Sequence, residues 1–362
     1  MSAKVSIVTT GHDVADARLH RSAAALRRAG AVVEVHGLGD GTQGPPGCRV
    51  TTAPHTGKVG RLLRALTWPF RAEGDVLVTI DPDTSPAALL AARLRRRRWV
   101  ADVHEDYAAL LEDRAWVPRP LLKVLQVAVG AMNALIGCAD LVLVADEHVP
   151  PRQARNRQVM RNEPDFSLLP SLVQAVDGSP WRAVYIGDNR TSRGLRTMLE
   201  AVAATAGDPE PWQLDLVGPV SESDREWFER RLAEPDCALV TAHGRRDPQT
   251  SWEIAAGADV GLCLLENTPA FAEAMPSKVY EYLACGMPTV ATPLPRVVEL
   301  LHRTGAGVVV DSAAETTATL RRFTTDAPWR ADLREAAREA GEVARTRRNT
   351  YDEAAKRILA LR

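Results

Sequence analysis

Cysteine is scarce and scattered in this chain. The five thiols, Cys48, Cys138, Cys237, Cys263 and Cys285, are odd in number and never form a C-x-x-C pair. That excludes a zinc ribbon and a disulfide framework, and it fits reduced thiols in a cytosol. Aromatic residues make up only 5%, too few for a surface that stacks bases. Neither sign of charge dominates, since 45 Lys+Arg against 46 Asp+Glu leave a formal net charge of −1. This argues against a globally basic nucleic-acid binder, and no nucleic-acid partner is expected. Long apolar runs are also missing. The most apolar long region, Leu121 to Ala145, is interrupted by Lys123, Gln126, Asn133 and Asp140 and falls short of a membrane span. Met1 to Thr9 lacks the basic start and long apolar stretch of a signal peptide, so a cytoplasmic location is expected.

What is present is the balance of a globular enzyme: 362 residues, 45% hydrophobic and 25% charged, enough for two domains without a disulfide or metal staple. Short β-branched runs alternate with stretches of helical spacing. Lys4–Thr9, Val14–Ala29 and Val32–His36 read as strand, helix, strand, with Gly30 stopping the helix. Asp75–Ile80, Pro86–Arg97 and Trp99–Val103 repeat the pattern, followed by a helix over Pro118–Gly137 and a strand over Asp140–Ala145. An irregular segment from Asn162 to Pro180 marks a junction. Beyond it a second series begins at Arg182–Ile186, with a strand expected at Ala238–Thr241 and a mostly helical end over Ala331–Leu361. Such βαβ succession predicts an α/β chain of two Rossmann-like doubly wound domains, 1–165 and 178–344, with 345–362 as a terminal helix. Ligands of such sheets sit at the carboxyl ends of the strands, and two facing domains leave a cleft.

The densest chemical signal is Glu273-Ala-Met-Pro-Ser-Lys-Val-Tyr-Glu281. Pro276 suits the first position of a helix, and Ser277 can place a hydroxyl near its amides. A helix N-terminus with Lys278 beside it is an anion site suited to a diphosphate. Glu281, about one turn on, can accept two hydroxyls such as those of a ribose. An ordinary capped helix with Lys278 and Glu281 on its wet face is the structural alternative. The position after a strand of an open α/β sheet favours the ligand site.

With its two glutamates separated by seven residues, Glu273 and Glu281, this segment resembles the glycosyltransferase family 4 proteins of GT-B fold. The resemblance implies that Glu281 holds the nucleotide ribose, that Glu273 lies by the donor sugar, and that the Ser277–Lys278 turn faces the diphosphate. Ala274-Met275-Pro276 stands where the commoner pattern has Gly-Phe-Gly. The likeness extends over nearly the whole chain. Tyr185-Ile-Gly187-Asp-Asn-Arg190-Thr-Ser-Arg193-Gly194 resembles the strand and loop that open the donor domain, which implies donor contacts from Gly187, Arg190 and Arg193. Arg193 matches the basic residue that clamps the diphosphate, for which a guanidinium fork is suited. His243-Gly-Arg245 resembles the strand end lining the nucleobase pocket, with Arg245 at the base. In the first domain, Gly11 resembles the close-approach glycine after the first strand, which implies a donor contact, and Asp102-Val-His104-Glu105 resembles the family's Asp-x-His-Glu, which implies that His104 lies beside the donor sugar. Asn162-Glu-Pro164 resembles the link before the domain crossover, and Asn349-Thr-Tyr351-Asp the last helix, which crosses back to the first domain.

The residues leave several secondary features open. Asp16 and Arg18 read as a local ion pair at a helix start. Asp81-Pro-Asp83 matches the D-x-D of metal-dependent GT-A transferases, but tandem α/β halves do not suit that fold, and the pair is read as cleft-side or helix-capping. Residues 58–71 and the run Arg93-Leu-Arg-Arg-Arg-Arg98 are either solvated basic segments or a peripheral contact with an anionic membrane surface.

The resemblance therefore implies a retaining transferase that moves a sugar from a nucleotide-diphosphate sugar to an acceptor hydroxyl. The acceptor, a sugar, a lipid-linked species or a small molecule, binds the first domain, and the setting is cell-surface glycan, glycolipid or secondary-metabolite synthesis. Arg193 and Lys278 stabilise the leaving diphosphate, so no metal and no cofactor beyond the co-substrate are expected. Catalytic roles fall to His104, Glu273, Arg193 and Lys278. A sugar-nucleotide epimerase or hydrolase on the same fold, or a non-catalytic nucleotide-sugar-binding subunit, are the alternatives.

Overall fold

The computed structural model describes residues 2–108, 119–170, 180–268, 271, 275–346 and 349–362. Two compact units emerge. One comprises residues 1–163 together with 349–362, the other residues 164–348.

The first unit is built on a seven-stranded parallel sheet: β1 (Lys4–Asp13), β2 (Val32–Leu38), β3 (Arg49–Ala53), β4 (Val76–Thr79), β5 (Arg98–Val103), β6 (Leu141–Val144) and β7 (Arg157–Val159), in the order 3-2-1-4-5-6-7. β4 and β6 are buried along their whole length, as their apolar runs require of strands covered on both faces. β3 escapes sequence reading because it is a half-exposed edge strand with no contiguous apolar pattern. The crossovers are α1 (Ala17–Arg28), α2 (Lys58–Arg71), α3 (Ser85–Leu94) and α4 (Arg119–Ile136). α2 stays helical through Pro69.

The second unit has a six-stranded parallel sheet: β8 (Arg182–Ile186), β9 (Gln213–Val217), β10 (Val240–Gly244), β11 (Val260–Cys263), β12 (Thr289–Ala291) and β13 (Gly307–Val309), ordered 10-9-8-11-12-13. Its helices are α5 (Leu195–Ala203), α6 (Arg225–Leu232), α7 (Pro248–Ala255), α8 (Ser277–Ala284), α9 (Pro295–Thr304), α10 (Ala313–Thr325) and α11 (Ala327–Arg345). The strand expected at Ala238–Thr241 begins two residues later, because a 3-10 turn over Pro235–Cys237 occupies the approach.

The expected helical end is two helices. α11 belongs to the second unit, while α12 (Thr350–Leu359), capped by the Asn349 side chain, belongs to the first. There Tyr351, Ala354, Ala355 and Ile358 enter the core with Leu19 and Leu26 of α1, and Arg28 pairs with Asp352 at 2.7 Å. Asn162 accepts a hydrogen bond from Arg21 at 2.7 Å and one from the Tyr351 hydroxyl at 3.5 Å, which fixes the end of the first unit's main segment.

Candidate active site

Both sheets reverse strand order at one point, between β1 and β4 in the first and between β8 and β11 in the second. Loops leaving the carboxyl ends on either side of such a point diverge to opposite faces and leave a crevice. Gly11 lies on β1 at the first of these points, and Gly187, Arg190, Arg193, Ser277, Lys278 and Glu281 lie on the segments that follow β8 and β11 at the second, whereas Arg245 follows the edge strand β10.

In the second unit, β8 is followed by Gly187, whose φ of +149° is closed to most side chains. A methyl group there would come within 3.1 Å of the Tyr185 hydroxyl and 3.2 Å of Lys278 Nζ. The glycine thus keeps open the space in front of that ammonium. Arg190, Thr191, Ser192 and Arg193 follow in a turn that Asp224 pins. Its carboxylate accepts from the Thr191 amide at 3.0 Å and the Thr191 hydroxyl at 2.6 Å. Burial alone would push the Asp224 carboxyl up, but the bonds from Thr191 and Ser221 outweigh it and lower its pKa. Ser192 accepts from the Glu266 amide at 3.0 Å, which ties this turn to the loop after β11. Arg190 forms an ion pair with Asp188. Arg193 is half-buried, and its Nε has no hydrogen-bond partner among the described residues.

On the other side of the reversal, α8 begins at Ser277, with Pro276 at the cap, one position before the first helical place that its ring suits. No side chain caps its amides. The Ser277 hydroxyl makes no hydrogen bond among the described residues, so it leaves the first turn open to a ligand. Lys278 is only 8% exposed. Its Nζ lies 5.1 Å from the Tyr185 ring centroid, and among the described residues it has no carboxylate partner. Burial pushes the Cys263 thiol at the end of β11 up to about 11, against the pull of the Lys278 and Arg193 charges. Both cations are therefore near one strand end. Tyr282, on the same helix, donates to the Leu262 carbonyl at 3.3 Å and accepts from the Ile186 amide at 3.2 Å, bolting α8 across the reversal. Glu281 is half-buried in the first turns of α8. Glu273 lies outside the described residues. Arg245 is half-buried two positions beyond His243, whose Nε2 lies 2.7 Å from Asp215.

In the first unit, Gly11 lies against Asp81, and a methyl group there would meet the Asp81 carboxylate at 2.5 Å. Asp81 and Asp83 do not cap the turn they begin. Asp81 accepts from the Thr9 hydroxyl at 2.5 Å and the Thr10 amide at 2.8 Å, and both carboxylates receive the Arg61 guanidinium, at 3.2 and 2.6 Å. Sequence reading did not single out Arg61, because nothing in α2 marks which arginine turns inward. Asp16 and Arg18 do not form the expected local ion pair. Side chains two apart on a helix point in different directions. Asp16 caps α1 through the Arg18 amide at 2.8 Å and faces His12 at 3.2 Å, while the Arg18 guanidinium runs to the buried Asp102 carboxylate.

His104 follows β5, and its ring lies edge-on to His12, with centroids 5.1 Å apart. Burial, then repulsion by Arg18 and His12, lowers the His104 pKa, and its buried Nδ1 has no hydrogen-bond partner among the described residues. The lowered pKa favours a neutral imidazole, a hydrogen-bonding group for hydroxyls. Burial would also lower His12, but the Asp16 hydrogen bond and charge outweigh it and raise its pKa. No group of three or more metal-ligating side chains occurs among the described residues.

Residues 181–326 match the family described as Glycosyl transferases group 1. Among solved structures, a sucrose-phosphate synthase from Thermosynechococcus elongatus is similar over 99% of this chain and 98% of its own, with TM-score 0.66 and 16% identity. The chain has the GT-B fold. The Anabaena protein HepE, solved in complex with UDP and glucose, is similar at TM-score 0.65 and 16% identity over 99% and 100% of the two chains. WaaG, a glycosyltransferase of lipopolysaccharide biosynthesis, is similar at TM-score 0.62 and 16% identity over 98% and 99%. No curated protein matches the chain in sequence. With a group 1 domain in its second unit, this GT-B protein is a glycosyltransferase enzyme.

Proposed function

We propose that the protein transfers a sugar, with retention of configuration, from a nucleotide-diphosphate sugar to an acceptor hydroxyl, in the manner of glycosyltransferase family 4. One observation carries the reading. The uncapped first turn of α8, the buried Lys278 without a carboxylate partner and the Arg193 guanidinium meet at the strand reversal of the second sheet. Helix amides and two cations around one point are suited to a diphosphate. Complexes of HepE with UDP and with UDP-glucose support such a donor.

In this reading the diphosphate lies across Gly187, Arg190, Arg193, Ser277 and Lys278, Glu281 takes the ribose hydroxyls, and Arg245 flanks the base. As the sugar–phosphate bond breaks, charge grows on the leaving phosphate, and Arg193 and Lys278 hold it more tightly than in the ground state. Glu273 and neutral His104 contact the transferred sugar. Gly11 lets the backbone approach the donor, and the acceptor, a sugar, a lipid-linked species or a small molecule, binds the first unit. The Arg61 guanidinium already occupies both Asp81 and Asp83, which supports a metal-free reaction. The product is a cell-surface glycan, a glycolipid or a secondary metabolite.

The test is a transfer assay with UDP-, GDP-, ADP- and TDP-sugars in excess EDTA. Activity with one donor is expected. Activity lost in EDTA and restored by Mn²⁺ would return the D-x-D pair to the centre of the chemistry. Free or epimerised sugar formed rapidly without acceptor would replace transfer as the reaction.

We further propose that the protein works on the inner face of a membrane as a peripheral protein. No helix among the described residues is long and apolar enough to cross a bilayer. On α2, however, Val59, Leu62, Leu63 and Leu66 recur at helical spacing and are 49–75% exposed, beside Lys58, Arg64 and Arg71. An outward apolar stripe on a basic helix complements an anionic lipid surface. Flotation with phosphatidylglycerol vesicles is expected, and its absence would overturn the proposed membrane contact.

A further inference from the structure

The end of the first sheet opposite His104 has a chemistry of its own. α3 runs out into Arg95, Arg96 and Arg97 before β5 begins at Arg98. Arg96 has a φ of +52°, and no other described residue apart from glycine has a positive φ. The left-handed region is disfavoured for any residue with a Cβ. With this bend in the chain, Arg93, Arg96, Arg97 and Arg98 line one hollow of about 430 Å³ beside Trp99 and Asp140.

Positive charge in this hollow is poorly compensated. Asp140 is the one carboxylate in its lining, and it already accepts from Arg98 at 3.0 Å and from the Trp99 amide at 2.9 Å. Arg95 and Arg97 both donate to a single acceptor, the Ala72 carbonyl. The Arg93 and Arg96 guanidinium groups have no hydrogen bond or ion pair among the described residues. Burial, then the neighbouring Arg95 charge, pushes the Arg97 guanidinium below its ordinary value, against the pull of Glu34, Asp75 and Glu73 outside the hollow. A concave site with guanidinium forks and no free carboxylate matches a tetrahedral oxyanion, which accepts two parallel N–H bonds from each fork.

We propose that this hollow is a phosphate-binding site, distinct from the strand ends assigned to donor and acceptor. The arginine geometry alone points to it, independently of the transferase reading. Two sources supply the same chemistry, a free phosphate and the headgroup of an anionic lipid. For the lipid source, Leu90 and Leu94 of α3 are exposed on the helix that leads into the hollow, and that outcome would add a headgroup pocket to the membrane contact proposed for α2.

The test uses the full chain, the Arg93→Ala/Arg96→Ala variant, and a charge-matched control, Arg225→Ala/Arg230→Ala, on exposed α6 of the other unit. Calorimetry measures inorganic pyrophosphate binding with the donor site saturated by the nucleoside diphosphate it prefers. Flotation compares phosphatidylglycerol-containing vesicles with pure phosphatidylcholine. Binding of either probe is expected to fall about tenfold or more in the first variant, the loss of one charge-assisted contact, and to persist in the control. Pyrophosphate binding without vesicle binding assigns a free phosphate. Vesicle binding that pyrophosphate competes away assigns a headgroup. Binding of neither probe, or equal loss in the control, overturns the proposal. Nucleotide affinity read in a separate titration of each protein separates that failure from a failure of the donor site, and circular dichroism melts confirm folding.

Discussion

Lys278→Met should cut nucleotide affinity sharply while changing folding stability little. The ammonium is 8% exposed, has no carboxylate partner among the described residues, and lies 5.1 Å from the Tyr185 ring centroid. Holding a charged donor in such a place costs about 1–3 kcal/mol of desolvation, against about 0.5–2 kcal/mol returned by the ring. Methionine has a similar length and no charge to desolvate, so the change in folding stability should lie between a loss of about 1 and a gain of about 2.5 kcal/mol. The bound diphosphate loses a charge-assisted contact worth about 1.5–3 kcal/mol, or roughly 10- to 150-fold in affinity. Turnover should fall further, because the contact strengthens as charge develops on the leaving phosphate. Urea denaturation gives the first quantity and calorimetric titration with a nucleoside diphosphate the second. A variant that is destabilised and still binds the nucleotide normally would show that Lys278 is structural, and the diphosphate site would have to be placed elsewhere.

Three further expectations follow from the same geometry. Glu281→Ala should weaken binding of nucleotide sugar and free nucleotide equally, by about 1.5–3 kcal/mol, and unchanged affinity for the free nucleotide in calorimetry would remove Glu281 from the ribose. Gly194→Ala should lower the melting temperature and donor affinity together. Its φ is +85°, and the new methyl would fall 2.1 Å from the Leu264 carbonyl oxygen, so the Arg193 turn must shift; an unchanged melt would refute this. Asp16→Asn keeps a side-chain cap on α1 but removes the charge facing His12. The raised His12 pKa contributes stability that is full below the unfolded value of 6.5 and lost as pH rises through the folded value. The lowered Asp16 pKa contributes stability present above 3.8 and lost as pH falls through its folded value. The variant should therefore be destabilised chiefly between those limits, and NMR titration should show the His12 pKa falling; an unmoved His12 would refute the pairing.

Local signals carried the class of the fold. Apolar runs such as Leu141–Val144 specify strands covered on both faces, and helical spacing between them specifies crossovers, which together demand parallel sheets. The Pro-Ser-Lys start of α8 and the Gly187–Arg193 loop were also visible, because helix starts and positive-φ glycines are written in neighbouring residues. Partnerships made over long sequence distances were not. Arg18 reaches Asp102 across 84 positions rather than the nearby Asp16, Arg61 clamps Asp81 and Asp83, and Asp224 pins the Arg193 turn from 33 residues away. Each choice depends on which strand ends lie side by side. That order is set by burial of whole sheet faces, a property of the packed chain that no short segment contains.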